Sequence, residues 1–236
     1  MRGLAAGGLV VLILGALPTT TPTAAAGTTY GPPSVDGAWT ARLVSRSAVM
    51  TAPGGPLFET LEPFTSATGS STTLLVLGSS VRHGHIWLRI RLPQRPNNAS
   101  GWIRRDDAVL ERSAYTIQIS TGRRLLTLRE AGRVLLRTEV VVGAPATPTP
   151  HGLFAIYDIV PLPKSPYAPY ELQLTAHSDV LRTFDGGEGR VALHGMNGAL
   201  RVPLGTSRSH GCIRLLPATA QVLGKTVPLG SLVAIS

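Results

Sequence analysis

The sequence predicts a mainly β protein with two β-rich parts, and three observations support this fold class. Apolar and polar residues alternate with period two in segments such as Tyr115–Ser120, which places apolar side chains on one face of a strand. Short apolar runs alternate with turn residues over 35–110, a pattern typical of small all-β domains. Hydrophobic residues make up 43% of the 236 residues and charged residues 15%, which indicates a globular chain with a sizeable core.

The first residues have the features of a secretory signal. Arg2 precedes an apolar run over 4–17, Pro18 ends this run, and three alanines at 24–26 offer a cleavage site. The run is shorter than the roughly 20 apolar residues that a membrane-spanning helix needs. We therefore predict a signal peptide over 1–26, with an uncleaved anchor as the alternative. In both cases we expect an extracytoplasmic protein, secreted or attached to the cell surface.

Residues 27–34 continue a segment rich in Thr, Pro, Ala and Gly and carry no charge, which is typical of a linker. Residues 35–112 are predicted to form a first, small β-barrel domain. Its strands are expected within 41–50, 73–77, 86–92 and 102–103, with a turn at 52–56.

Two histidines and two tryptophans stand out in this first part. We expect His83 and His85 to be surface residues and not to form a metal pair. Trp87 and Trp102 are expected in the core. The stretch H-G-H-I-W-L-R-I-R-L-P, followed by N-N-A-S-G-W-I, resembles the end of a bacterial SH3-like domain.

Residues 113–236 are predicted to form a second domain, a meander of antiparallel strands. The irregular segment 161–170 is either a lid over a cleft or a plain surface connection. A short helix is expected over 217–223, with Pro217 in its first turn and Gly224 just past its end. The expected strands are 115–120, 125–129, 134–143, 152–157, 191–194 and 232–235.

The charge is strongly basic. Twenty-two Lys and Arg oppose 13 Asp and Glu, which gives a formal net charge of +9, and only Lys164 and Lys225 are lysines. Arginine suits contacts with carboxylates or phosphates. Since no dense basic run occurs, the charge by itself does not choose between nucleic acid and an anionic cell wall.

The stretch V-A-L-H-G-M-N-G-A-L-R-V-P-L-G-T-S-R-S-H-G-C-I-R-L-L, residues 191–216, carries the candidate chemistry. It contains the only cysteine, Cys212, together with His194 and His210. A lone thiol beside imidazoles is the arrangement that nucleophilic catalysis uses. We expect an adjacent imidazole or backbone N–H groups to lower the pKa of the thiol, so that Cys212 is held ionised. Glycine, serine and amide groups complete the stretch, at Gly195, Asn197, Gly198, Gly205, Ser207, Ser209 and Gly211.

The run H-G…S-H-G-C-I-R, with 212 − 194 = 18 positions from histidine to cysteine, resembles the signature of L,D-transpeptidases, the YkuD family of cell-wall enzymes. The upstream T-P-T-P-H-G-L-F, residues 147–154, resembles a second segment of that family, although His151 stands where a small polar residue is frequent. The resemblance implies a β-sandwich-like catalytic domain. It also implies peptidoglycan transfer through a cysteine thioester, in wall biogenesis and the maintenance of cell shape.

The resemblance also implies roles for individual residues. Cys212 matches the nucleophile, His194 the base, and the carbonyl of Gly195 the group that orients the imidazole. His210 matches a supporting residue, and N–H groups around Gly211 and Cys212 would form the oxyanion site. Three further residues are expected near the substrate, namely Ser209, Arg214 and Asn197.

From this resemblance we expect an acyl transfer that forms 3→3 cross-links between donor and acceptor stem peptides, or hydrolysis (carboxypeptidase action) if water enters. We expect no cofactor, no metal, no nucleic acid and a monomer. Two alternatives remain open. One is a zinc site from His194, His210, Cys212 and His151, and the other is a non-catalytic wall-binding protein.

Overall fold

The computed structural model describes residues 29–65, 68–165, 168–196 and 202–236. The predicted signal peptide, 1–26, and the first residues of the predicted linker lie outside the described residues. Within these ranges, no helix combines the length and the apolar character that crossing a membrane requires.

The first part of the chain is one seven-stranded sheet in the order β3-β2-β6-β5-β4-β1-β7. Its neighbouring strands are antiparallel. The β-rich prediction for this part is therefore confirmed, whereas an SH3-like barrel stays a prediction. The strands are β1 (Ala38–Leu43), β2 (Ser47–Met50), β3 (Leu57–Leu61), β4 (Thr73–Arg82), β5 (His85–Arg91), β6 (Ser100–Arg104) and β7 (Ala108–Ser113).

This sheet buries its own apolar cluster, which includes Val49, Leu88 and Ile103. Trp87 is buried as expected, whereas Trp102 is half-buried. His83 and His85 are exposed, in agreement with the surface prediction.

The second part is built on an eight-stranded sheet in the order β10-β9-β8-β17-β12-β13-β14-β16, with a separate pair β11-β15. The mainly β prediction is confirmed, and α1 is the one α-helix among the described residues. The elements are β8 (Tyr115–Ser120), β9 (Leu125–Glu130), β10 (Arg133–Glu139), β11 (Val142–Gly143), β12 (Gly152–Pro161), β13 (Tyr170–His177), β14 (Arg190–Gly195), β15 (Ser207–Ser209), β16 (Ile213–Leu215), α1 (Pro217–Thr226) and β17 (Leu232–Ile235).

The expected meander is interrupted at three places. Strand β17 lies parallel to β8, and β16 lies parallel to β14. The strand expected over 134–143 divides into β10 and β11, because Val140 leaves the pairing with β9 and the chain then pairs with β15. Strand β17 thus lies in the centre of the sheet and β16 at its edge. The core of this part includes Phe154, Leu193 and Leu223.

The prediction that α1 ends before Gly224 is wrong. The helix continues to Thr226, although glycine weakens a helix interior. A Cβ at Gly224 would lie 2.3 Å from the ring carbon Cγ of Tyr170. The glycine is therefore needed because α1 and β13 approach each other closely there, and not because the helix ends.

Polar contacts join the two parts of the chain at several places, including a buried hydroxyl pair and the loop after β5. The hydroxyls of Ser113 and Ser231 lie 2.7 Å apart in a buried contact. On the loop after β5, Asn97 accepts a hydrogen bond from the N–H of His177 at 2.8 Å and donates one to its carbonyl at 2.6 Å. Arg95 on the same loop donates to the carbonyls of Ser178 and Glu188. The first sheet therefore holds the segment that connects β13 to β14.

We predict that Gly224→Ala lowers the free energy of unfolding by about 1–3 kcal/mol, because the added methyl group overpacks the contact with Tyr170. Helix propensity by itself favours alanine by up to about 1 kcal/mol. The measurement is chemical denaturation, with Gln221→Ala on the exposed face of α1 as control. A Gly224→Ala variant as stable as this control would contradict the packing role.

Candidate active site

The parallel pairing of β14 with β16 brings the two predicted catalytic side chains together. In the register, Leu193 pairs with Ile213 and His194 pairs with Arg214. Cys212 directly precedes β16, and His194 is the penultimate residue of β14. Both residues line one cleft of about 550 Å³. Residues that are 18 positions apart in the sequence (212 − 194) thus share one site.

The imidazole of His194 is held in one orientation. Its Nδ1 lies 2.8 Å from the carbonyl oxygen of Gly195. Since a carbonyl oxygen only accepts, Nδ1 carries the proton and Nε2 is the available acceptor. Burial lowers the pKa of His194, and the hydrogen bond to Gly195 opposes this shift. The ring is therefore neutral near neutral pH and can accept a proton.

The environment of Cys212 contradicts the expectation that its thiol is held ionised. The side chain is half-buried, and burial raises the pKa of the Cys212 thiol, while a backbone hydrogen bond with Ala192 opposes this rise. The nearby Glu171 also raises this pKa and Arg214 lowers it. The Cys212 thiol and the His194 imidazole are therefore both neutral at rest, and Cys212 could act as a nucleophile only after losing its proton.

A serine hydroxyl fixes the turn that carries Cys212. The Oγ of Ser209 donates to the Cys212 carbonyl at 2.5 Å and accepts from the Gly211 N–H at 3.1 Å. Gly211 has a φ of +119°, which L side chains rarely adopt. Because its N–H is already bonded, the expected use of Gly211 as an oxyanion donor is not supported. The N–H of Cys212 is the remaining candidate.

The T-P-T-P segment supports the same turn from the other side. Thr149 Oγ1 donates to the carbonyl of Gly211 at 2.8 Å and accepts from the N–H of Gly143 at 2.9 Å. Thr147 donates to the carbonyl of Ser209 at 3.2 Å. The two separated motifs of the sequence therefore form one hydrogen-bonded unit around Cys212.

The remaining predicted site residues differ in their positions and exposure. His210 is exposed, and its ring centroid lies 5.1 Å from that of Phe184. Arg214 is buried within β16. Asn197 lies outside the described residues.

His151 is not part of the cleft. Its Nε2 lies 2.8 Å from the hydroxyl of Thr121. This histidine, which departs from the family motif, therefore has a hydrogen-bond partner of its own. Among the described residues, no group of three His, Cys, Asp or Glu side chains could hold a metal ion. The alternative zinc site therefore has no assembled ligand set in this part of the chain.

Strand β13 supplies residues that the sequence reasoning missed. Glu171 and Gln173 line the cleft together with Arg190 and Glu188. The segment Y-E-L-Q-L alternates polar and apolar residues, so period-two alternation could have found this strand.

The second part of the chain matches a known family of catalytic domains. The model of the L,D-transpeptidase catalytic domain, YkuD, matches residues 114–235, just over half of the chain. The chain belongs to this family. L,D-transpeptidases of the YkuD family are cysteine-dependent acyltransferases.

Two curated relatives of this transpeptidase domain come from Bacillus. The proteins of Bacillus licheniformis and Bacillus subtilis that carry the name L,D-transpeptidase YkuD are each 30% identical over 122 residues. Each match covers 52% of this chain and 66% of the relative, just under two thirds of its length.

Solved L,D-transpeptidase structures align over a larger share of this chain. One from Mycobacterium smegmatis is 17% identical, covering 67% of this chain and 93% of that chain with a TM-score of 0.41. One from Mycobacterium tuberculosis is 16% identical, covering 64% and 90% with a TM-score of 0.43. The family assignment itself rests on the family model.

The pKa directions in the transpeptidase domain predict a wide pH range for acylation. Because the pKa of His194 is lowered, the rate should persist below pH 6.5, the ordinary histidine value, and fall only as the pH drops through the lowered pKa. On the alkaline side, the pKa of the Cys212 thiol is raised from its ordinary value of 9.0. The neutral thiol should therefore persist up to at least that pH. Intact-mass spectrometry of carbapenem acylation across pH measures this profile. An acidic midpoint at or above 6.5 would contradict the assignment of His194 as a neutral base.

A second prediction concerns Ser209→Ala in the turn of the transpeptidase domain. Losing the hydroxyl leaves the Gly211 N–H and the Cys212 carbonyl without this partner, which should lower the free energy of unfolding by about 1–3 kcal/mol and slow acylation. Ser207→Ala is the matched control, because among the described residues its hydroxyl bonds the side chain of Arg124 alone. Equal effects of both substitutions on stability and acylation would show that Ser209 does not hold the turn.

Proposed function

We propose that the protein is an extracytoplasmic peptidoglycan L,D-transpeptidase that forms 3→3 cross-links through a thioester on Cys212. The observation that carries this proposal is the pairing of β14 with β16, which places Cys212 and an imidazole oriented by Gly195 in one cleft. Membership of the YkuD family supports it.

In the first half of the proposed reaction, Nε2 of His194 takes the thiol proton as the sulfur of Cys212 attacks the carbonyl of the third residue of a donor stem. The N–H of Cys212 donates to the oxyanion that forms, and such a donor contributes roughly 2.7–4 kcal/mol. The imidazolium of His194 then protonates the leaving D-alanine amine, and a thioester remains.

In the second half, an amine of a neighbouring stem attacks the thioester. His194 transfers a proton from this amine to the sulfur, the C–S bond breaks, and a new amide is formed. Water in place of the amine gives L,D-carboxypeptidase action. Three further residues assist the proposed reaction. Ser209 holds the turn, and His210 and Arg214 lie two positions before and after Cys212 in the sequence.

The proposed location rests on the signal-like segment 1–26 and on the basic charge. A net charge of +9 favours association with an anionic cell wall. We propose that the first sheet, residues 38–113, is an SH3-like module that contacts the wall, and that the protein acts as a monomer.

We predict that Cys212→Ser abolishes cross-linking and leaves the fold and wall binding intact, because a serine hydroxyl is far harder to deprotonate than a thiol. The measurement is mass spectrometry of muropeptides incubated with each purified protein, with the wild-type chain as reference. A wild-type protein that binds isolated wall but changes no muropeptide would favour the non-catalytic alternative. Normal turnover by the serine variant would refute the assignment of the nucleophile.

A further inference from the structure

We propose that Glu171 selects a positively charged amine as the acceptor and so favours cross-linking over hydrolysis. This inference rests on the proposed function, because it concerns the second half of that reaction. Glu171 lies on β13, outside both motifs that identify the family.

The register of the sheet places Glu171 beside the proposed base. Glu171 and His194 are directly paired on the antiparallel strands β13 and β14. Directly paired residues project their side chains from the same face, with Cβ atoms about 4.5–5.5 Å apart. Both side chains line the cleft that also contains Cys212. The carboxylate is therefore next to the place where the acceptor nitrogen must meet the thioester.

The carboxylate of Glu171 is positioned by a neighbouring side chain. The Nε2 of Gln173, which lies on the same face two residues along the strand, donates to Oε1 of Glu171 at 3.0 Å. Among the described residues Glu171 has no ion-pair partner, whereas Arg190, a cation of the same cleft, is paired with Glu188 at 2.5 Å. An anionic oxygen is thus presented to the cleft of a protein whose net charge is +9.

This charge acts differently on the two halves of the reaction. Glu171 raises the pKa of both His194 and Cys212. In acylation the proton moves from Cys212 to His194. The two pKa increases therefore largely cancel in the free energy of this proton transfer. An acceptor amine arrives from solvent as an ammonium ion, and the attraction of the carboxylate for this ion is not cancelled. The effect of Glu171 should therefore be confined to the acceptor step.

The proton transfers of the proposed acceptor step involve Glu171, His194 and Cys212. The ammonium held at Glu171 loses one proton to solvent, and the resulting amine attacks the thioester carbon, forming the C–N bond. The Nε2 of His194 takes a second proton from this nitrogen and delivers it to the sulfur of Cys212 as the C–S bond breaks. The products are the amide and the neutral thiol.

The experiment compares the wild-type protein with Glu171→Gln, which removes the charge and keeps the size. A synthetic stem tetrapeptide serves as donor. The acceptors are a peptide with a free lysine-type amine, which is charged at neutral pH, and hydroxylamine, which is mostly uncharged there. We expect the half-saturating concentration of the charged acceptor to rise about tenfold in Glu171→Gln, as for a lost hydrogen bond to a charged group. The acylation rate, the hydrolysis rate and the reaction with hydroxylamine should change less than about twofold.

Two further variants complete the test. Glu62→Gln removes the same charge from an exposed ion pair in the first sheet and should behave like the wild type. Glu171→Asp keeps the charge and should recover most of the affinity for the charged acceptor. Equal half-saturation in wild type and Glu171→Gln, with normal acylation of Cys212, would overturn this inference and leave the proposed function in place. Absence of any acyl adduct in the wild type would overturn both.

Discussion

The parallel pairing of β14 with the three-residue strand β16 is the constraint on which the site depends. This pairing sets the position of Cys212 relative to His194. The chain between the two residues is too long to hold them together by itself. Because Ile213 and Leu215 are fully buried, sliding of β16 by one residue would turn apolar side chains out of the core. The hydrophobic core and the register of the candidate site are therefore stabilised by the same contacts.

The turn before β16 shows how a backbone conformation that requires glycine is held in place next to Cys212. Gly211 adopts a conformation that other residues rarely adopt, and the hydroxyls of Ser209 and Thr149 bond the groups on both sides of it. Burial then keeps the thiol protonated at rest. In the extracytoplasmic location that we propose, a protonated thiol is less exposed to oxidation than a thiolate. Reactivity is thus gained only when a substrate and the neutral imidazole are both in place.

Much of the site could be predicted from sequence because its residues lie in two short, distinctive motifs. The contact between His194 and the Gly195 carbonyl is found where the motif implies it. The direction of the Cys212 pKa could not be predicted, since it depends on how deeply the fold buries the sulfur. The use of the Gly211 N–H by Ser209 depends on turn geometry in the same way. Strand β13 was missed although its alternation is visible, and the end of α1 was misplaced because the contact of Gly224 with Tyr170 joins distant segments.

The hydrogen bonds from Arg95 and Asn97 to the segment between β13 and β14 have a consequence for how the chain can be divided. That segment leads directly into the strand that carries His194, and its backbone groups are satisfied by a loop of the first sheet. Cutting the chain near residue 113 would leave these backbone groups to water and loosen one wall of the cleft. The amino-terminal sheet thus supports the wall of the cleft. The carboxy-terminal half is therefore not an independent unit that could be transferred alone to another protein.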